Sequence, residues 1–266
     1  MRERLFAPLR LSAAGTLPEE ALLWGAAVGH FGTEITPQWG LPRSAGPSGL
    51  IHARAADLVT FARMHLAGGV NATGDRVVSA DAVKVMRSAQ VAIPEPWTSG
   101  SHVGLSWMLF DWGRPVIGHD GVTLGQNAYL RIAPDPVRWS LRCLSMVATL
   151  SSCTKIFSRS CSPSTPAPLQ PSEESVVSDT TDIIGTYERA LMSFDVQDRD
   201  GELALIVRPS GVLTASLGTD QFEVPLIPFA PSTFLIQIPG RPGWLPSVFY
   251  QVSDGTRYLH LGGEAA

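Results

Sequence analysis

The chain of 266 residues is 44% hydrophobic and 17% charged, so it can form one large domain or two modest ones, and wholesale disorder is excluded. Its net charge of −4, from 20 basic and 24 acidic residues, excludes the dense positive surface that nucleic-acid binding requires. No apolar run approaches the ~18 residues of a membrane-spanning helix, so we expect no membrane span. The 25 glycines and 21 prolines favour a mixed or β-rich fold over a helical bundle.

The cysteines and histidines predict neither a disulfide framework nor a metal site. Cys143, Cys153 and Cys161 are odd in number and form no CxxC pair. The six histidines form no HExxH motif or i, i+4 pair, so we expect no metal and no other cofactor. Residues 1–6 lack the apolar core of a signal peptide, which leaves the localisation open with the cytoplasm as the default.

The first predicted elements are a helix end and a long loop region. Residues 1–9 resemble the end of an amphipathic helix that stops near Pro8, and glycines and prolines then recur through residues 10–50. A loop of this length inside a compact domain is usually functional or packed as a lid.

The strongest helical pattern follows at residues 53–67, ended by Gly68 and Gly69. Its apolar face is formed by Leu58, Phe61, Ala62, His65 and Leu66, where we expect His65 to be half-buried. A second helix is predicted over residues 79–90, with Ser79 as its N-cap.

The pattern then changes to strands. Residues 103–110 and 114–118 predict two strands, and a tight turn over 121–125 leads into a third strand at 126–133. Residues 158–175 have the composition of a proline- and serine-rich linker. Beyond residue 182 the pattern is entirely β, with Asp200-Gly201 and Asp254-Gly255 as hairpin turns. The predicted strands are 193–198, 203–208, 212–216, 222–226, 233–238, 247–252 and 257–261.

Three segments together resemble the serine β-lactamase and penicillin-binding-protein-like hydrolases, in the class C-like branch with esterases and D-aminopeptidases. They are Arg-Leu-Phe-Ala-Pro-Leu in residues 4–9, the helix in 47–69, and the stretch 104–132 around Gly118-His119-Asp120-Gly121. The resemblance implies an α+β fold, in which part of a β-lactamase/transpeptidase-like domain, an antiparallel sheet with helices, occupies residues 1–160. A linker over 161–180 and a small all-β, lipocalin-like barrel over 181–266 would follow.

The resemblance assigns a substrate-side role to residues 119–122. His119-Asp120-Gly121 matches the family's third motif, so His119 would orient the substrate or the proton network and the Val122 N–H would donate to an oxyanion. Gly121 would let the substrate lie close to the strand. The alternative interpretation of a His-Asp-Gly sequence is an ordinary hairpin turn.

The family's other two motifs are the nucleophile-base pair Ser-x-x-Lys and the second motif Tyr-x-Asn or Ser-x-Asn. No Tyr-x-Asn or Ser-x-Asn occurs in the sequence. The one Ser-x-x-Lys, Ser152 to Lys155, follows the third motif, whereas the family places it well before, so we reject it as the catalytic pair. We therefore expect this chain to be an inactive fragment of a hydrolase.

Residues 137–165 depart from the family, which continues there with an apolar strand, an Asn-Gly-Gly turn and a helix. The bases that encode Met146-Val147-Ala148-Thr149, read one nucleotide upstream, allow Asn-Gly-Gly-Asp. This suggests a local frameshift, and a genuinely divergent segment is the alternative. Sequencing the coding DNA distinguishes the two, and a frameshift would remove a core strand and the closing helix.

The expected function is amide or ester hydrolysis through an acyl-enzyme, on a small-molecule substrate such as a β-lactam, a D-amino-acid peptide or an ester. The alternative is a non-catalytic module that binds an apolar ligand or a partner through the C-terminal barrel. A truncated gene product without function is a third possibility.

Overall fold

The structure is a computed structural model that divides into two compact units, Met1–Ala92 with Gly100–Thr165, and Ile93–Ser99 with Pro166–Ala266. We call these the first and second units. The structure describes residues 1–31, 33–36, 43, 46–97, 100–112, 114–123, 125–133, 140–144, 169–171, 180, 182–211, 213–214, 218–239, 243–262 and 264–266. Ser152, Lys155, Cys153 and Cys161 lie outside them, as do most of the predicted linker and most of the segment 137–165.

The first unit begins with a helical turn, Arg2–Phe6, whose Phe6 is buried as the predicted helix end requires. The described elements of the loop-rich region and the two helices after it are α1 (Pro18–Leu22), β1 (His30–Phe31), β2 (Glu34–Ile35), α2 (Gly46–Gly49), α3 (Ala55–Leu66) and α4 (Ala80–Met86). A two-stranded antiparallel hairpin joins β1 to β2.

Helix α3 confirms the strongest helical prediction. The Asp57 carboxylate accepts a hydrogen bond of 3.0 Å from the Arg54 backbone N–H and so satisfies a donor at the helix start. Ala62, Met64 and His65 are buried. His65 is only 1% exposed, so it is buried more deeply than the half-burial we predicted. The helix ends at Leu66, and the turn that follows includes Gly69, where φ is +92° and a Cβ would lie 2.0 Å from the Val78 carbonyl oxygen.

Helix α4 confirms Ser79 as an N-cap, because the Ser79 Oγ accepts a 3.1 Å hydrogen bond from the Ala82 N–H. The helix ends at Met86 rather than at residue 90, since the chain turns after Arg87 into a short strand.

A six-stranded antiparallel sheet forms the centre of the first unit, in the order β3-β4-β5-β6-β7-β8. Its strands are β3 (Val91–Ala92), β4 (His102–Val103), β5 (Met108–Asp111), β6 (Pro115–Thr123), β7 (Gln126–Ile132) and β8 (Ser140–Leu144). One face carries Ile117, Leu130 and Ile132, which pack with Trp107 and with Ala62 of α3. The opposite face carries Phe110, Trp112, Val116 and Ala133.

Two sequence predictions for this sheet were wrong in detail. The predicted strand 103–110 is broken at Gly104–Trp107, because Gly104 approaches the end of α4 and Ser106 adopts a φ of +67°. The predicted turn over 121–125 is shorter, since β6 continues to Thr123 and so includes the His-Asp-Gly sequence. Residues 140–144, within the segment of the frameshift hypothesis, form an antiparallel strand beside β7.

The second unit consists of two open antiparallel sheets over a common core. Its strands are β9 (Gly185–Arg189), β10 (Met192–Arg199), β11 (Glu202–Pro209), β12 (Phe222–Pro225), β13 (Ile227–Ala230), β14 (Thr233–Ile236), β15 (Leu245–Gln251), β16 (Arg257–Leu261) and β17 (Glu264–Ala265). The sheets run β12-β11-β10-β9 and β13-β14-β15-β16-β17. Phe194 and Leu205 of the first sheet pack with Phe234 and Leu259 of the second.

These sheets correct the predicted lipocalin-like barrel, since the strands described here divide into two open sheets rather than one closed one. Alternating burial is the same for a barrel strand and a sandwich strand, so the sequence pattern does not distinguish them. The predicted strand at 212–216 is also wrong where it is described, because Leu213 and Thr214 form a helical turn. The hairpins at Asp200-Gly201 and Asp254-Gly255 are confirmed.

Candidate functional site

The predicted site residues, His119, Asp120, Gly121 and Val122, all lie in β6. Strand β6 pairs with β7 over Ile117–Thr123, but β5 pairs only with Pro115–Gly118. Beyond Gly118, the edge of β6 that faces away from β7 therefore has no strand partner among the described residues. Such an edge presents backbone donors and acceptors to which an extended ligand can bind.

His119 and Gly121 alternate with Asp120 along this strand. His119 and Gly121 therefore face one side of the sheet, and Asp120 faces the other. His119 is paired with Leu130 and lies on the face that α3 covers, with its side chain exposed. Gly121 is also exposed, and the nearest atom to a Cβ placed on it is the Ala128 Cβ at 3.9 Å. Val122 is 65% exposed. The strand is therefore open to solvent where the predicted roles require a ligand.

The Asp120 side chain has a different environment from its neighbours. Its carboxylate accepts two hydrogen bonds from the Arg131 guanidinium, one of them 3.0 Å from Nη2 to Oδ2. The guanidinium carbon lies 4.3 Å from the Phe110 ring centroid and 5.9 Å from that of Trp112. The pair is nearly buried, with side chains 7% and 20% exposed for Arg131 and Asp120.

Gly118 makes this pairing possible, because it lies directly across from Arg131 in the strand register. A Cβ at Gly118 would lie 2.3 Å from the Leu130 carbonyl oxygen and 2.8 Å from the Arg131 Cδ. The sequence motif places Asp120 with the catalytic residues and does not reveal its pairing with Arg131. The only available signal was the arginine in an otherwise apolar strand, since a lone charge in such a strand needs a partner.

The turn between β6 and β7 is held by the loop-rich region. The His30 N–H donates a 3.0 Å hydrogen bond to the Gly125 carbonyl, and the Gln126 Nε2 donates one of 3.2 Å to the Ala27 carbonyl. Gly125 has a φ of +66°, and a Cβ there would lie 2.5 Å from the His30 nitrogen. Residues of the loop-rich region therefore pack against the end of the β6–β7 hairpin.

Groups that could hold a metal ion and helices that could cross a membrane were sought among the described residues alone. Among these residues, no three His, Cys, Asp or Glu side chains come together in a group that could hold a metal ion. The helices that the structure describes are also too short or too polar to cross a membrane.

A family model for beta-lactamase matches residues 1–147, which is more than half of the chain. The chain belongs to the beta-lactamase family. This confirms the family resemblance of the motif segments. The family has a serine-hydrolase-like function and acts on small molecules.

The chain is also similar to individual known proteins in sequence and in fold. Over 142 residues the chain is 46% identical to penicillin-binding protein 4 of Amycolatopsis lactamdurans, a match that covers 50% of this chain and 37% of that protein. A solved structure of SurE aligns with 98% of this chain and 61% of its own, at a TM-score of 0.66 and 23% identity. A structure of SurE with D-Leu has a TM-score of 0.60 at 23% identity and covers 98% and 60% of the two chains. This beta-lactamase-family chain thus spans little more than a third of its curated relative and about three-fifths of the solved chains.

Proposed function

We propose that this chain provides the substrate-binding strand of a serine hydrolase that cleaves amide or ester bonds through an acyl-enzyme. The observation that carries the proposal is the unpaired edge of β6 beyond Gly118, beside an exposed His119 and an open Gly121. An extended acyl substrate could pair with this edge as an added strand. The name of the curated relative, a penicillin-binding protein, supports a β-lactam as the substrate class, with D-amino-acid peptides and small esters as further candidates.

Each residue of the strand then has a separate task. His119 orients the substrate or donates a hydrogen bond to the leaving group. The Val122 N–H donates a hydrogen bond to the oxyanion of the tetrahedral intermediate. Gly121 leaves room for the substrate backbone. Asp120 takes no part in proton transfer, because its carboxylate is engaged by Arg131 on the other face of the sheet.

The nucleophile and the base are not supplied by residues 119–122, and the position of Ser152 and Lys155 after the third motif argues against that pair. We therefore propose that this chain by itself does not turn over substrates. Purified chain is expected to give no hydrolysis of nitrocefin or of p-nitrophenyl acetate, and no covalent adduct with benzylpenicillin by mass spectrometry. Saturable turnover that is abolished in Ser152→Ala, or an adduct on Ser152, would contradict this.

The substrate-strand role has its own test. Saturation-transfer NMR should detect non-covalent binding of benzylpenicillin to the chain, and His119→Ala should weaken it by up to about tenfold through the loss of one hydrogen-bonding side chain. The matched control is His102→Ala, a half-exposed histidine in β4. Equal binding by both variants would refute the role of His119.

The alternative proposal is that the second unit binds an apolar ligand. It rests on the sequence prediction of a separate β domain, and the second unit has a hydrophobic core of its own that includes Phe194 and Phe234. Lauric acid would then raise the melting temperature of the full chain, and Phe234→Ser would remove that effect. Absence of any lauric-acid effect on the parent chain would leave the hydrolase role as the better account.

A further inference from the structure

Three side chains in the first unit have buried polar atoms without hydrogen-bond partners, and two of them, His65 and Trp107, are buried as a whole whereas Arg87 is partly exposed. Among the residues that the structure describes, none lies within hydrogen-bonding reach of His65 Nδ1, Trp107 Nε1, or the Nε and Nη2 of Arg87. His65 is 1% exposed and Trp107 is 4% exposed, so solvent does not satisfy these atoms. Buried polar atoms in folded proteins are almost always paired, so this cluster implies a missing partner.

His65 and Trp107 are in contact, and the backbone of Arg87 adjoins the same turn. The rings of His65 and Trp107 meet edge to face with centroids 5.1 Å apart. The Gly104 N–H donates a 2.7 Å hydrogen bond to the Trp107 carbonyl, and a Cβ on Gly104 would lie 2.2 Å from the Met86 carbonyl oxygen. Arg87 follows Met86 directly, so its backbone adjoins the turn that ends at Trp107.

Electrostatics support this placement. The pKa of His65 is lowered to about 4, first by burial and second by the positive charge of Arg87. His65 is therefore neutral at pH 7, and the cluster carries the one positive charge of the guanidinium. No ion pair involves Arg87 among the described residues, although burial also lowers the pKa of this group.

The hydrogen-bonding chemistry of the cluster selects its ligand. Indole and guanidinium groups only donate, and the neutral imidazole donates from one nitrogen. A cation is repelled by such a set, and a neutral water molecule would leave the positive charge of Arg87 uncompensated. A small anion accepts from every donor and balances the buried charge of Arg87.

We propose that Arg87 and Trp107, next to His65, form a binding site for a small monovalent anion, such as a halide or a short carboxylate. His65 belongs to α3, Arg87 follows the last residue of α4, and Trp107 lies in the turn before β5. An anion bound among them therefore stabilises the packing of the first unit.

The test is thermal denaturation of the full chain at constant ionic strength, with sodium chloride exchanged for sodium gluconate, whose anion is much larger than chloride. Chloride should raise the melting temperature saturably, by about 2–5 °C. Arg87→Gln should abolish the chloride effect. The matched control is Lys84→Gln, which removes an exposed cation from the same helix and should keep the effect.

Trp107→Phe keeps the charge and the aromatic contact but removes one donor, so it should need several times more chloride for the same rise. This variant decides the question if Arg87→Gln does not fold. A bromide soak should add an anomalous peak beside Arg87 in a crystal. The proposal is overturned if chloride and gluconate are equivalent for the parent chain, or if Arg87→Gln or Trp107→Phe responds to chloride as the parent does.

Discussion

Single residues on the two faces of β6 have separate functions. His119 and Gly121 remain available to a ligand, whereas Asp120 is used to hold the strand through Arg131. The arrangement works because consecutive strand residues point to opposite faces. A buried ion pair of this kind is more costly to break than to replace, since removal of one partner leaves a charge without compensation.

Asp120→Ala should therefore lower the free energy of unfolding by about 3 kcal/mol, because Arg131 would stay buried without its carboxylate. Urea denaturation measures the change. The control is Glu19→Ala, which breaks the exposed pair of Glu19 with Arg43, with side chains 57% and 72% exposed, and should cost less than about 1 kcal/mol. Similar losses in both variants would show that the Asp120 pair has no special role.

His65 predicts a pH dependence of stability. Its pKa of about 4 in the folded chain lies below the ordinary value of 6.5. Between these two pH values the unfolded chain therefore binds a proton on this histidine more readily than the folded chain does. The contribution of the neutral His65 to the free energy of unfolding is therefore fully present above about pH 6.5. It falls as the pH drops towards 4, by up to about 3 kcal/mol.

His65→Leu should flatten this part of the pH profile, measured by urea denaturation in gluconate buffers. The same substitution at the half-exposed His102 serves as the control. An unchanged slope in His65→Leu would mean that another group causes the dependence.

At the scale of elements, local capping determines where the helices begin. Asp57 satisfies the backbone at the start of α3, and Ser79 does so for α4. Helix α4 has only seven residues, so each unsatisfied backbone donor is a large part of its stability.

Ser79→Ala should lower the free energy of unfolding by about 1 kcal/mol, since the Ala82 N–H loses its acceptor. Ser79→Asp should retain stability, because a carboxylate accepts the same hydrogen bond and interacts favourably with the helix dipole. Thermal or urea denaturation compares the two variants. An equal loss in both would show that the hydroxyl contributes through something other than the cap.

At the scale of the whole molecule, two hydrophobic cores stabilise two units. Ile132 is fully buried in the first unit, and Phe234 is fully buried in the second. The second unit also includes residues 93–99, where the Trp97 ring meets Phe229 at a centroid distance of 5.5 Å. We therefore propose a second domain that needs this segment in addition to the predicted range 181–266.

Separate cores predict two unfolding transitions in urea. Ile132→Ala should shift one of them and Phe234→Ala the other, each by about 3 kcal/mol, because each leaves a cavity in a different core. Tryptophan fluorescence and circular dichroism, recorded on the same samples, would resolve the transitions. A single transition that both variants shift equally would show that the units unfold together.

The amino-acid sequence by itself determined the family, helix α3 with its glycine end, the cap at Ser79 and most strands of the second unit. These features depend on periodicity and on residues with strong local preferences, so short segments contain the information. Strand β9 escaped detection because only Tyr187 of its five residues is buried.

Only the tertiary structure decided how the segments combine. Asp120 and Arg131 are 11 residues apart, and only the register of β6 with β7 brings them together. The same holds for His65 and Trp107, whose rings meet through the packing of α3 and a turn, and for Arg87, whose charge lowers the pKa of His65. The open form of the second unit's sheets was equally hidden, because strand alternation specifies which face is buried and not whether the sheet closes.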